Sequence, residues 1–219
     1  MTDSKSADQG SDKSEMHPGI ARWDARFAAT DGFIFGTEPN AFMVSQAHLY
    51  KPGMKALAVA DGEGRNGVWL AQQGLDVTSV DGSQVALDKA ARLAHERGVT
   101  LNTVCADLVR WDWGTDVYDV IVGIFIQFAG PRLRPRLFQR AAQALRPGGH
   151  FVLQGYHPKQ LEYKTGGPSA IENLYTEEQL CAELDHMDII HLDRYDTELN
   201  EGSGHSGMSA LIDVVARKR

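Results

Sequence analysis

The chain has 219 residues, 42% of them hydrophobic, and carries 22 basic against 29 acidic side chains for a formal charge of −7. That length suits one domain with a sizeable core, and an acidic chain without a long Lys/Arg cluster is a poor match to a polyphosphate backbone, which argues against nucleic acid as the main partner. No run approaches the ~18 apolar residues of a membrane span. Residues 1–19, rich in Ser, Asp, Lys and Gly up to Glu15, read as a disordered leader rather than a secretory signal, and residues 20–219 as a single domain. Cys105 and Cys181 stand far apart with no CxxC, a usage that suits a reducing cytoplasm and builds neither a disulfide framework nor a metal site.

Along the chain, short strand-like runs alternate with helical ones. Lys55–Ala60 reads as a buried strand, Gly64–Gln73 as a helix, and Leu75–Val80 as a second strand. Ser83–Arg97 reads as a helix with Ser83 as N-cap. Thr100–Cys105 and Tyr118–Ile126 are strands three and four. Arg132–Leu145 is helical, and Arg146-Pro147-Gly148-Gly149 is a hard stop before strand His150–Gly155. After a helix near Thr176–Leu184, Ile189–Thr197 and Met208–Ala216 read as strands joined by the loop Glu198–Gly207. That connection is too short for a parallel crossover. The expectation is an α/β fold: a doubly wound, seven-stranded, mostly parallel sheet closed by a C-terminal antiparallel pair.

The segment Ala56–Leu70, ALAVADGEGRNGVWL, places a Gly-bearing turn between a strand and a helix N-terminus. Such a turn lets backbone approach a ligand closely and offers free N–H groups. Asp81 follows Gly62 by 19 residues, at the end of strand two, where a carboxylate can accept from both hydroxyls of a ribose. Together they suggest an adenosine-containing cofactor, the alternative being an ordinary strand–turn–helix. Gly62, Gly64 and Gly67 also satisfy G-x-G-x-x-G, so an NAD(P)-linked oxidoreductase is a competing reading. Against it stand the short chain, the absence of a Tyr-x-x-x-Lys pair (Tyr156 and Lys159 are three apart) and the predicted antiparallel end.

Several motifs in order resemble the class I S-adenosylmethionine (SAM)-dependent methyltransferases, in the branch that includes tellurite-resistance methyltransferases. They are Trp23-Asp24-Ala25-Arg26-Phe27, Phe35-Gly36-Thr37-Glu38-Pro39-Asn40, Gly62-Glu63-Gly64-Arg65-Asn66, Val80-Asp81, Cys105-Ala106-Asp107-Leu108, Leu145-Arg146-Pro147-Gly148-Gly149 and Ala216-Arg217-Lys218. The resemblance implies that Ala60, Asp61 and Gly62 pass beneath the methionine part of SAM, and that Asp81, followed by Gly82, holds the ribose. It also implies that Asp107 accepts from the adenine amino group with Ala106 and Leu108 beside the ring, and that Ile124 lies beneath the cofactor. Trp23 and Arg26 resemble a lid whose guanidinium suits the methionine carboxylate, with Gly36 among the cofactor contacts. The family's turn opens D-x-G-x-G; here those first two positions are Ala58 and Ala60.

The implied partner is a small-molecule methyl acceptor, of the thiol, sulfide or tellurium/selenium oxyanion kind that the branch suggests. The Asn/Asp-Pro-Pro-Tyr signature for planar amines is absent after strand four, where Gly123-Ile124-Phe125-Ile126-Gln127-Phe128 stands. His205, in Glu201–Gly207, is the leading candidate base or anion holder; the alternative is a solvent-exposed loop histidine. Tyr156, with His157, is the secondary candidate at the same sheet edge. His95 reads as a surface or packing residue, Trp111 and Trp113 as core packing, and Phe27, Phe33, Phe35 and Phe42 as either a water-excluding cluster near the lid or ordinary packing. Gly166-Gly167-Pro168 reads as a mobile loop near the entrance. No metal-ligand cluster is visible, and a non-catalytic SAM-binding module on the same fold is the third reading.

Overall fold

The computed structural model describes residues 18–219. Most of the expected leader lies outside the described residues, but its last two positions, Pro18 and Gly19, already open helix α1 (Pro18–Ala28). Proline suits a first turn, where its missing N–H has no partner to lose.

The apolar run Lys55–Val59 forms strand β1, and strict side-chain alternation sends Leu57 and Val59 into one core and Ala56 and Ala58 into another. Flanking it are β2 (Asp76–Asp81), β3 (Asn102–Cys105), β4 (Tyr118–Ile124), β5 (Leu145–Tyr156), β6 (Met187–Glu201) and β7 (His205–Lys218). They make one seven-stranded sheet in the order β3-β2-β1-β4-β5-β7-β6. Strands β1 to β5 are parallel, and β7 runs antiparallel to both β5 and β6. The α/β expectation with an antiparallel C-terminal pair holds.

Helices cover both faces, as a parallel sheet requires. One face carries the core around Leu57, Ile121, Phe138 and Phe151, covered by α5 (Arg134–Ala144) and α7 (Glu177–Glu183). The other carries Ala58, Val77, Val122 and Val152 under α2 (Ala41–Ser45) and α3 (Arg65–Gln72). Helix α4 (Gln84–Glu96) starts where expected: the Ser83 hydroxyl accepts from the Ala86 N–H at 3.2 Å. A short α6 (Gln160–Tyr163) follows β5.

Two expectations need correction. Arg146–Gly149 does not stop the chain before a strand. Strand β5 begins at Leu145 and passes through it, with a register shift opposite Tyr118 and Val120 and Gly148 at φ 79°. A turn-like composition here makes a bulge inside pairing. Likewise Glu198–Gly207 is no open loop, because pairing continues to Glu201 opposite His205 and leaves only Gly202-Ser203-Gly204 as the turn. The Gly and Ser residues that hid the strand ends are needed for what the tip packs against, described next.

Candidate active site

At the C-terminal ends of the parallel strands, where ligands of open α/β sheets bind, lies a cavity of ≈ 640 Å³ roofed by α1. It draws together residues from most of the chain. Trp23, Arg26, Gly36, Ala60, Asp61, Gly62, Asp81 and Gly82 line it, as do Ala106, Asp107, Leu108, Ile124, Tyr156 and His205. Thus the expected site residues, His157 excepted, face one cavity.

One half of the cavity is made by backbone. Ala60, Gly62 and Gly64 have φ of 49°, 57° and 85°, so the chain after β1 turns through left-handed conformations at alternate positions. At Gly64 a Cβ would lie 2.5 Å from that of Ala90, which is why α3 can start against α4 only with glycine. Ala60 holds the same kind of conformation with a side chain, a strained choice of the sort that concentrates at functional sites. Asp81 ties the turn to β2, its Oδ2 accepting from Gly62 N–H and its Oδ1 from Ser83 N–H, both at 2.9 Å. Burial raises its pKa against these hydrogen bonds. Asp107 Oδ1 accepts from Val109 N–H at 2.9 Å, and the Ala106 N–H donates to the Asp81 carbonyl.

The departure at Ala58 finds its explanation here. Ala58 is fully buried and stands in register with Ser79 on β2. Ser79 Oγ donates to Asp61 Oδ2 at 2.8 Å, and Asp61 also accepts from Gly67 N–H in the first turn of α3. A carboxylate therefore reaches this spot from the turn rather than from the strand. Burial raises its pKa to about 7.

The other half is made by side chains. His205 is not solvent-exposed: its side chain is 12% accessible, and the rings of Phe125, Phe35 and Tyr156 lie 4.2, 4.6 and 5.9 Å from it. Burial lowers its pKa, which favours the neutral imidazole. Tyr156 is buried, which raises the pKa of its phenol, and Gly166 and Gly167 pass over its ring. Phe125, directly after β4, sits at φ 57°. His157 does not line the cavity; its backbone pairs with Ala210 and its ring faces Arg194.

The hairpin tip that carries His205 docks on the segment after α1. Gly204 N–H donates to the Ile34 carbonyl at 2.9 Å, and a Cβ at Gly202 would lie 2.5 Å from Gly36 N. Glu63 fastens that segment from below. Its Oε2 accepts from Ile34 and Phe35 N–H, while its Oε1 pairs with buried Lys89 at 2.9 Å. The four phenylalanines divide: Phe27 and Phe35 line the cavity, whereas Phe33 meets Arg92 and Phe42 meets His191. Trp113 is core, its Nε1 donating to Leu108 O with Trp111 packed beside it, and His95 is exposed.

Sequence reasoning missed Glu63, Phe125, Gln127, Asn40 and Glu201. Glu63 lay inside a quoted motif but was passed over for its glycines. Gln127, which donates to Tyr156 O and Asn173 O, and Glu201, which pairs with Arg65 at 2.7 Å, have partners 29 to 136 residues away. No local pattern marks them.

Comparison with known proteins bears on this site. The methyltransferase domain family matches residues 56–149, the stretch from β1 to the end of the Arg146–Gly149 bulge. The glycine/sarcosine N-methyltransferase of Halorhodospira halochloris is 31% identical over 190 residues, 83% of this chain. Residues 56–149 are a methyltransferase-family domain. The chain spans 65% of that relative's length. Two solved structures share the fold: one described as "Conversion of a Disulfide Bond into a Thioacetal Group during Echinomycin Biosynthesis" (TM-score 0.75, 16% identity, 91% of each chain) and TehB from Haemophilus influenzae (TM-score 0.68, 19% identity, 90% of this chain and 67% of TehB).

A methyltransferase-family domain over the glycine turn favours SAM, that family's methyl donor, over the nicotinamide reading of Gly62, Gly64 and Gly67. The cavity's residues fit such a group: a carboxylate already fixed by backbone at Asp81, a second at Asp107 on one side of it, and a glycine turn on the other. Among the described residues no helix is long and apolar enough to cross a membrane, and no cluster of three or more His, Cys, Asp or Glu side chains converges to hold a metal.

Proposed function

We propose that the protein transfers the methyl group of SAM to a small-molecule acceptor that sits between His205, Tyr156, Phe35 and Phe125. The observation that carries this reading is that the Asp81–Asp107 edge and the buried His205 open into one cavity under one lid. SAM supplies an electrophilic methyl group, so the protein's task is to align donor and acceptor and keep water out.

In this reading Asp81 takes the ribose hydroxyls on the lone pairs that Gly62 and Ser83 leave open, and Asp107 the adenine amino group. Ala106, Leu108 and Ile124 line the ring and the floor, while Gly82 and Gly36 let the chain pass close. Asp61, Ala60 and Gly62 underlie the methionine portion. Arg26, whose guanidinium lies 4.9 Å from the Trp23 ring centroid and 5.2 Å from that of Phe35, is placed to receive the methionine carboxylate from the lid. Neutral His205 receives the proton that the acceptor sheds, and Tyr156 orients the acceptor. Within the small-molecule class the acceptors proposed are a thiol, a sulfide or a chalcogen oxyanion, of which the thiol has a proton for His205 to take, and the amine of the glycine/sarcosine relative is the competing acceptor.

Calorimetric titration with S-adenosylhomocysteine beside NADH tests the donor. Saturable binding of the first and none of the second is expected, and binding of NADH alone would overturn the reading. Radiolabelled SAM offered with a small thiol, a sulfide, tellurite, selenite and glycine then reads the acceptor. Homocysteine-compound binding without transfer to any of them would favour the non-catalytic binding module.

A further inference from the structure

Behind His205 lies a polar group with no part in the roles above. Glu201 ends β6, His205 opens β7, and the two are register partners across the hairpin. Their side chains meet on one side of it, with His205 Nδ1 3.5 Å from Glu201 Oε2. The carboxylate has no freedom to turn away. Oε2 accepts from Arg65 Nη2 at 2.7 Å, and Oε1 accepts from Asn40 Nδ2 at 3.0 Å. Asn40 is itself locked: its N–H donates to Asn66 Oδ1 at 2.9 Å and its Nδ2 also to Gln154 Oε1 at 2.6 Å.

His205 Nδ1 is buried and makes no aligned hydrogen bond. A buried polar atom in that state is costly unless a favourable charge faces it. Glu201 is ionised: burial alone would raise its pKa, but His205 and Arg65 outweigh burial and bring it to about 2. A lone pair on Nδ1 would face that anion; an N–H on Nδ1 would face it with the opposite sign. The other charged or titratable groups around the ring are Arg65 from α3, Arg26 from α1 and Tyr156 from β5. None offers Nδ1 a better partner.

We propose that Glu201, clamped by Arg65 and Asn40, is a positioning residue that holds His205 in its Nδ1–H tautomer and so turns the Nε2 lone pair toward the acceptor. This deepens the methyltransferase reading and rests on it for its purpose. It narrows the acceptor to one whose nucleophile sheds a proton, a thiol, a hydroxyl or an amine, since a thioether has none to give. The S–CH3 bond of SAM breaks with its electron pair going to sulfur, the acceptor heteroatom bonds the methyl carbon, and the acceptor's proton goes to Nε2. Glu201 then faces the imidazolium that results. Because Arg65 opens the helix of the cofactor turn, the clamp also joins the donor half of the cavity to the base.

The test is nitrogen-15 NMR of the full chain labelled at histidine, without cofactor and with S-adenosylhomocysteine, the His205 signals being assigned by their loss in His205→Gln. Expected is a neutral His205 with its proton on Nδ1. In Glu201→Gln the Nδ1–H preference is lost and the His205 pKa falls by about one unit, because an opposite charge within reach has been removed. A neutral wild-type His205 protonated on Nε2, or a Glu201→Gln variant with the same tautomer and pKa, would overturn the proposal. If Glu201→Gln does not fold, the wild-type tautomer alone decides. No acceptor or cofactor is needed for this readout, so failure to bind S-adenosylhomocysteine would sink the methyltransferase reading while leaving the tautomer result standing.

Discussion

The two halves of the cavity are built by different means. The donor half is set by backbone: three left-handed residues after β1, and carboxylates at the ends of β2 and β3 whose own lone pairs already hold neighbouring N–H groups. The acceptor half is set by side chains from segments remote in sequence, with Phe35, Phe125, Tyr156 and His205 meeting from four of them. A binding edge held by main chain is tolerant of change elsewhere, whereas a chamber of converging rings depends on every segment that supplies one.

That contrast can be broken from either side. The largest effect is expected from His205→Ala, which should cut methyl transfer by about 10²- to 10⁴-fold, the usual worth of a general base, while leaving S-adenosylhomocysteine affinity within a factor of a few. An equal loss in both would mean that the two halves are not separable. Asp81→Ala should do the reverse, weakening S-adenosylhomocysteine by about 100-fold, in line with about 3 kcal/mol for hydrogen bonds to a buried carboxylate, as read by calorimetry. Its thermal midpoint should be followed too, because Asp81 also anchors Gly62 and Ser83.

These two halves were unequally legible. Asp81, Asp107 and the glycine turn follow from local order: a strand, a turn and an acid at the next strand's end recur at short spacing. His205 was singled out, but its burial was not foreseen, because Glu201–Gly207 looks like an open loop when its partner at Ile34–Gly36 is invisible. The same blindness shortened β6 and β7 in the reading and turned the Arg146–Gly149 bulge into a stop. Glycine and proline report local backbone freedom, but whether pairing continues past them depends on the neighbouring strand. Glu201, Arg65 and Asn40 show the limit: the bonds that join the three span 136 and 161 residues of chain, and nothing in the sequence near any one of them names the others.

A smaller effect should come from Gly202→Ala. Its φ of 69° and a Cβ only 2.5 Å from Gly36 N should cost about 1–3 kcal/mol, lowering the thermal midpoint and slowing transfer more than it weakens cofactor binding. Slowed transfer with an unchanged midpoint would show that the tip moves without unfolding. The last concerns Asp61 and stability alone. Its folded pKa of about 7 lies above the ordinary 3.8, so the native state binds the extra proton and stability falls as pH rises from about 4 to 7. Asp213, raised to about 6, adds to the same slope. Asp61→Asn should remove its share and flatten the profile of midpoint against pH over that range, and an unchanged profile would contradict the burial that causes the shift.

The hairpin of β6 and β7 also acts as a span held at both ends. It is anchored along β5 up to Tyr156, yet its ladder continues for several residues beyond, to Glu201 opposite His205. Each residue adds about 3.3 Å of reach, and only steps of two keep the same side chains facing the same way. Trimming or extending both arms by two residues would therefore shift the imidazole by about 6.6 Å along one axis while the parallel strands stay where they are. The size of the acceptor chamber is thus a length set by one ribbon, whose tip must also keep its seat on Ile34 and its bond to Arg65.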